Sequence, residues 1–375
     1  MRVKKLKNPF LLTGFYGKEY FCDRENELNK LREHFENERN VVLYSWRRFG
    51  KTALVKCFIS TLEKEKLAEA VYVDLLGTRN TTNALRYIVQ AVYDRFGKTG
   101  SGISIAFQKL LGSAGFDITF DPATGIPKIS LGYRVKTETG KSLKAIGDFI
   151  ASRKKRVLVV LDEFQQITQY SGEDGESLFR SWTQSFPEVR FIFCGSHRHM
   201  MESMFSEQNR PFYMSSQLMQ LNSIDKKNYM EFIRNHFSHS GKGISVIAVD
   251  RIFSWSRMQT YCIQLICNKL YDRFNQVDAE EVEIVVPEIL DQEGPFFSEY
   301  TRLLSEMQWN VLKAVAQEEP LSNPLSKDFI GKYQLGATSS VSTALDMLKR
   351  NELVIFDKGR YLVHEVLLAR WLQSL

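Results

Sequence analysis

Three short segments carry residue types suited to handling a phosphate chain. The first, Ser45-Trp46-Arg47-Arg48-Phe49-Gly50-Lys51-Thr52 with Ala53 behind it, follows the spacing G-x-x-x-x-G-K-[ST] except that Ser45 holds the first position. In such a loop Gly50 lets the backbone approach phosphate oxygens. The Lys51 ammonium meets the β- and γ-phosphates, and the Thr52 hydroxyl ligates magnesium. The N-terminus of the following helix adds its dipole. The second segment, VLVVLDEF at 157–164, delivers Asp162 and Glu163 at the carboxyl end of an apolar strand, the edge where open parallel sheets bind ligands. Asp162 suits magnesium held through water. Glu163 suits a base that orients and deprotonates an attacking water, because phosphoryl transfer needs positioning and charge stabilisation more than covalent help. The third segment, RFIFCGSHRHM, ends a strand at Ser196, which either hydrogen-bonds a γ-phosphate or the lytic water, or caps the next helix. Lys51, Glu163 and Ser196 are the candidate catalytic set. His197 and His199 flank Arg198 with no other clustered ligand, so they are not read as a metal site.

The elements that must position these residues follow from periodicity. NVVLYS from Asn40 is a short apolar run, and beyond Gly50 the residues Leu54, Phe58 and Leu62 fall on one helical face. The alternation recurs with a strand at 70–76 and a helix through Leu85, Ile88, Val92 and Phe96, then strands at 157–164 and 190–196 each followed by a helix. Continuous β-branched runs between helices imply an α/β fold, a parallel sheet covered on both faces. Between residues 97 and 139 the rhythm breaks, and FDITFDPATGIPKISLGYRV reads as two alternating strands around a Pro-Ala-Thr-Gly turn, a hairpin insertion. After a last short strand at 217–221, helices dominate to about Leu304 and read as an all-helical lid. Three further helices and the segment ELVIFDKGRYLVH, with Asp-Lys-Gly-Arg at a hairpin tip, form a winged-helix pattern. The expected domains are 1–223, 224–303 and 304–375.

Composition narrows the class. A chain of 375 residues exceeds one typical domain. Its net charge of +6, from 50 basic and 44 acidic residues, tolerates nucleic-acid binding without implying it. From Leu304 onward eight Lys or Arg balance eight Asp or Glu, so the winged-helix segment is formally neutral, whereas phosphate contacts dominate DNA affinity. On its third helix Val341, Leu345 and Leu348 point to the core, leaving Ser339, Ser342, Thr343, Asp346, Lys349 and Arg350 exposed. Five scattered cysteines in apolar runs fit reduced thiols rather than a disulfide framework. No apolar run approaches the roughly 20 residues needed to cross a bilayer, and the basic start is not followed by a signal sequence, so the expectation is a cytoplasmic protein without a membrane partner.

Taken together these residues resemble the archaeal-type ATPase group within the STAND and AAA-like P-loop ATPases, whose loops often read Pro-Arg-Arg-x-Gly-Lys-Thr. The resemblance covers nearly the whole chain. Upstream, FCDRENEL is similar to the group's Gly-Arg-x-x-Glu-Leu motif, with Arg24 and Glu27 in matching places and Asp23 replacing the glycine. Downstream, the Leu-Asp-Glu-Phe strand, the Cys-Gly-Ser strand end, the Tyr-Cys-Ile-Gln-Leu-Ile-Cys helix and the Arg370-Trp371-Leu372 stretch have counterparts. The chain departs from the pattern at Ser45 and at Met258-Gln259-Thr260, where related lids commonly carry Gly-x-Pro. The resemblance implies ATP and ADP as ligands with magnesium, Arg24 and residues 45–53 as nucleotide-binding positions, and Thr52 and Asp162 as metal ligands.

Three functional classes remain open on the sequence. One is a slow magnesium-dependent ATPase acting as a nucleotide-controlled switch, with Glu163 as base. Another is a nucleotide-binding adaptor that hydrolyses negligibly. The third is a DNA-binding regulator acting through the winged helix. The implied partners are ATP and an unidentified protein, with DNA as an alternative; Arg48, Arg198 and Arg210 are candidates for a charge-stabilising arginine finger.

Overall fold

A computed structural model describes residues 6–99, 102–103, 105–120, 127–131, 139–171 and 174–375. The chain divides into two compact units: Arg24–Asn222, and the residues up to Asp23 together with Ser223–Leu375. The first 23 residues, assigned by sequence to the first domain, therefore group with the C-terminal part of the chain.

The first unit is built on a five-stranded sheet. Its strands are β1 (Val41–Tyr44), β2 (Glu69–Asp74), β3 (Val157–Asp162), β4 (Arg190–Gly195) and β5 (Gln217–Gln220). They run parallel in the order β2-β3-β4-β1-β5. Every residue of β1, β3 and β4 is buried, which is why these strands read as unbroken apolar runs rather than as alternating ones. Helices Lys51–Lys64, Thr81–Val92, Thr139–Ala151 and Gly175–Gln184 connect the strands. Asn80 and Asp174 start two of them by accepting the backbone N–H groups of Asn83 and Ser177. The α/β expectation holds.

In the segment after Gly97, Phe116–Phe120 pairs antiparallel with Pro127–Leu131, as the alternation predicts. The Pro-Ala-Thr-Gly turn lies outside the described residues. Sequence reading did not anticipate the helix Ile105–Ala114 that precedes the pair.

The second unit is mainly helical, with helices Lys226–Ser238, Val246–Ser256, Thr260–Arg273 and Ala279–Ser298. Asp225 caps the first, and Asp278 with Glu281 forms a reciprocal capping box on the last. Helices Glu306–Glu318, Lys327–Lys332 and Thr338–Arg350 follow. An antiparallel pair, Val354–Asp357 with Arg360–Val363, then turns through left-handed Lys358 and Gly359. On the 338–350 helix Val341, Leu345 and Leu348 are buried as expected, but Ser342 is half-buried rather than exposed. Phe10 is fully buried here, packed against Phe237 and Tyr271, while Asn8 and Asn268 each donate an amide N–H to a backbone carbonyl of the other's segment.

A buried ionic knot joins the helical part of this unit to its winged-helix part. The Glu319 side chain, 2% exposed, faces Arg257 at 3.1 Å and Arg370 at 3.9 Å and accepts the Val363 N–H. Arg257 also reaches the Val363 carbonyl, and Arg370 the Trp255 carbonyl. Arg257 and Met258 are both left-handed, at φ 49° and 59°, and Met258 is the residue that the resemblance sets against the glycine of Gly-x-Pro. The five cysteines are all buried, with no disulfide among them. No described helix is long and apolar enough to cross a membrane.

Candidate active site

The three chemistry-bearing segments leave adjacent strands. β4 lies between β3 and β1, so the loop after β1, the acid pair ending β3 and the serine ending β4 open onto one carboxyl edge of the sheet.

The loop after β1 begins at Ser45, which is buried, receives no positive φ and donates its backbone N–H to the Gly195 carbonyl at 3.3 Å. A serine is therefore tolerated at a position where the usual motif has glycine. Left-handed turns fall instead at Arg48, φ 68°, and Gly50, φ 88°. Gly50 is the N-cap of the Lys51–Lys64 helix and offers no side chain to its first N–H groups. Those donors are the anion-binding end of the helix. Lys51 is buried, with its ammonium 3.9 Å from Glu163 Oε1. Thr52 Oγ1 donates to Asp162 Oδ2 at 3.1 Å, across 110 positions of sequence.

Glu163 is left-handed, φ 52°. Ser196 Oγ donates to its Oε2 at 2.7 Å, and Gln165 Nε2 to the same oxygen at 2.5 Å. Burial pushes the Glu163 carboxyl up, but Lys51, the Ser196 and Gln165 hydrogen bonds and Arg47 outweigh it, and the net effect is a lowered pKa. The base candidate is thus held ionised. Ser196 joins Glu163 and is not the N-cap of the helix Arg198–Ser206; that position is His197, whose side chain makes no capping bond. Burial, with Arg47 nearby, lowers the His197 pKa and keeps the imidazole neutral.

Of the arginine-finger candidates, Arg210 is committed to a two-point pair with Glu176, Nη2–Oε1 2.5 Å and Nε–Oε2 3.1 Å. Arg198 pairs with Glu202 and lies 5.5 Å from the Trp46 ring centre. Arg24 is 3% exposed. It bonds Glu27 at 2.7 Å and donates through Nη2 to the Phe49 carbonyl at 3.2 Å, so it braces the loop from behind.

Sequence reading missed two residues at this edge. Gln165 lies two positions past the acid pair and carries no motif signal. Tyr72, in the middle of β2, donates its hydroxyl to Asp162 Oδ2. Burial and the adjacent Asp162 raise the Tyr72 phenol far above its usual range, so it stays a neutral donor.

The residues fit a magnesium nucleotide. Uncapped helix N–H groups and a buried ammonium suit phosphate, and the neighbouring Thr52 hydroxyl and Asp162 carboxylate are the donor type magnesium takes alongside phosphate and water.

The chain is similar in structure to a Walker-type ATPase of Pyrococcus abyssi, with TM-score 0.68 and 16% identity, over 97% of this chain and 99% of that one. It is also similar to the ORC2 protein of Aeropyrum pernix in ADPNP–ADP complexes, with TM-score 0.57 and 14% identity over 94% of both chains. The ORC1 protein of Aeropyrum pernix in complex with DNA gives 0.53 and 15%, over 98% of this chain and 96% of that one. Comparison with curated protein sequences returned no match. A family described as a probable winged helix domain matches residues 295–374, and one described as an ATPase domain predominantly from Archaea matches residues 21–257. With that match spanning well over half of its length, the chain belongs to the family of ATPase domains found predominantly in Archaea, and carries a C-terminal winged helix domain.

Proposed function

We propose that this protein is a magnesium-dependent ATPase that works as a nucleotide-controlled switch. Residues 224–303 then serve as its lid and 304–375 as its winged-helix output. The observation that carries this reading is the Glu163 carboxylate, kept ionised and gripped by Lys51, Ser196 and Gln165 within the loop-and-acid edge. Lys51 and the N–H groups at the start of its helix bind the β- and γ-phosphates. Thr52 directly and Asp162 through water would hold magnesium, which would supply charge neutralisation at the phosphates. Glu163 orients water and takes its proton as the water oxygen attacks the γ-phosphorus. The bond from that phosphorus to the bridging oxygen breaks, and its electron pair leaves with ADP. Ser196 keeps the Glu163 carboxylate in place.

The test compares phosphate release and ATP binding in wild type and Glu163→Gln. Turnover falling about a hundredfold or more with ATP binding retained supports the reading. Hydrolysis by the variant at the wild-type rate removes Glu163 as base. Binding without turnover in wild type itself puts the adaptor in its place.

The winged helix supports a second reading as a protein-docking module. Its 338–350 helix exposes Ser339, Thr343, Asp346, Lys349 and Arg350, and Lys349 lies 3.5 Å from Asp346, which reduces the free positive charge available to a DNA backbone. A salt-dependent shift of duplex DNA by the full-length protein, lost on Lys349→Glu with Arg350→Glu, would instead establish the DNA reading.

A further inference from the structure

Asp162 has a donor that neither the loop nor the acid motif explains. Tyr72 of β2 is in register with Val160 of β3, and Asp74 with Asp162. Residues in register on parallel strands leave the sheet on one face, and so do residues two apart on a strand, so Tyr72 and Asp162 share a face. The long phenol side chain spans the two-residue offset and brings its hydroxyl to Oδ2.

The arrangement around that carboxylate can be counted. A carboxylate offers about four acceptor positions, two on each oxygen. On Asp162, Oδ2 accepts Thr52 Oγ1 at 3.1 Å and the Tyr72 hydroxyl, and Oδ1 accepts the Glu163 N–H at 3.0 Å. Three positions are filled, and the last lies on Oδ1. Thr52 can keep donating its proton to Oδ2 while an oxygen lone pair goes to a metal. Removing the phenol hydroxyl leaves a second acceptor position open on Oδ2, in a side chain that is 4% exposed.

We propose that Tyr72 is a positioning residue of the metal–nucleotide site, whose hydroxyl fixes the Asp162 carboxylate so that a single oxygen position is presented to metal-bound water. The proposal rests on the ATPase reading and extends it to a strand outside the recognised motifs. Partners that orient metal-binding carboxylates from the second layer are worth about 10–100-fold in metal affinity. Tyr72 stands in that relation to Asp162. The Lys56 ammonium lies over its ring, 5.5 Å from the ring centre.

The experiment is an equilibrium titration of Mn²⁺, detected by electron paramagnetic resonance, into full-length protein with saturating ADP, alongside ADP binding measured in EDTA. Tyr72→Phe keeps the ring and removes only the hydroxyl. The expected result is Mn²⁺ affinity lowered about tenfold, with ADP affinity in EDTA unchanged. Two results overturn the proposal: Mn²⁺ binding equal to wild type, or ADP affinity in EDTA falling by the same factor, which would mark a purely structural role. Failure of the nucleotide-site part of that reading has a different signature, since wild type itself would then bind neither ADP nor Mn²⁺ with ADP; binding without turnover leaves the proposal standing.

Discussion

Arg24 Nη2 donates to the carbonyl of Phe49 at 3.2 Å, so the residue that opens the first structural unit holds the backbone of the loop proposed to bind phosphate. The resemblance to archaeal ATPases places Arg24 among nucleotide contacts, and the geometry shows how it acts on the loop itself. Hydrogen bonds from charged groups contribute roughly 1.5–3 kcal/mol. Arg24→Met is therefore expected to weaken ATP binding about tenfold or more in calorimetric titration, with the same affinity as wild type counting against the brace.

Ser196 and Gln165 share one oxygen of Glu163, so their effects should not add. Ser196→Ala and Gln165→Leu are each expected to lower kcat about tenfold with little change in KM. The double variant should be only slightly slower than either. A product of the two single effects in steady-state kinetics would show that the donors act independently.

Gly195 is required by its neighbours. A Cβ built there lies 2.3 Å from Met201 Cγ and 2.6 Å from Gln165 Oε1. Gly195→Ala must shift both side chains, at a cost of about 1–3 kcal/mol, and displaces the Gln165 amide from Glu163. Lowered thermal stability together with lowered kcat is expected, and an unaffected kcat would separate Gln165 from catalysis.

The Glu319 knot makes a prediction away from the site. Glu319→Ala leaves Arg257 and Arg370 without their carboxylate, and breaking a buried pair costs about 3–5 kcal/mol. A melting temperature near that of wild type would contradict it. Burial raises the Glu319 pKa despite the two arginines. A raised carboxyl favours folding below the ordinary value of 4.5, and that contribution is lost as pH rises through the folded value. Stability measured upward from pH 4.5 should decline through this group, and Glu319→Gln should remove that part of the slope.

Much of this was legible in the sequence because strands β3 and β4 are buried on both faces and read as unbroken apolar runs. The Gly50-Lys51-Thr52 helix start and the Asp162-Glu163 pair are local signals, and the fold brings them together as those signals imply. The sequence leaves Ser196 between two roles because only the order of the strands decides its partner. Tyr72 was invisible for a related reason: its link to Asp162 arises from the register of β2 on β3, and inside AVYVDLL a tyrosine is simply a good strand residue. Arg24 and Gln165 act through contacts whose geometry no spacing rule encodes. The helix Ile105–Ala114 was hidden beside a strongly alternating hairpin pattern that dominated the reading of its neighbourhood.

Burial of Phe10 beside Phe237 and Tyr271 has a consequence for how the chain is made. The Arg24–Asn222 unit is one continuous stretch, and all of its residues are available once Asn222 has been synthesised. The segment around Phe10 has no such option, since its partner Asn268 lies 260 positions after Asn8. At translation rates of roughly 5–20 residues per second it waits on the order of tens of seconds for its binding surface. During that interval Phe10 trails from a ribosome-bound chain whose middle can already fold, an apolar side chain open to chaperones until the residues around Phe237, Asn268 and Tyr271 emerge to cover it.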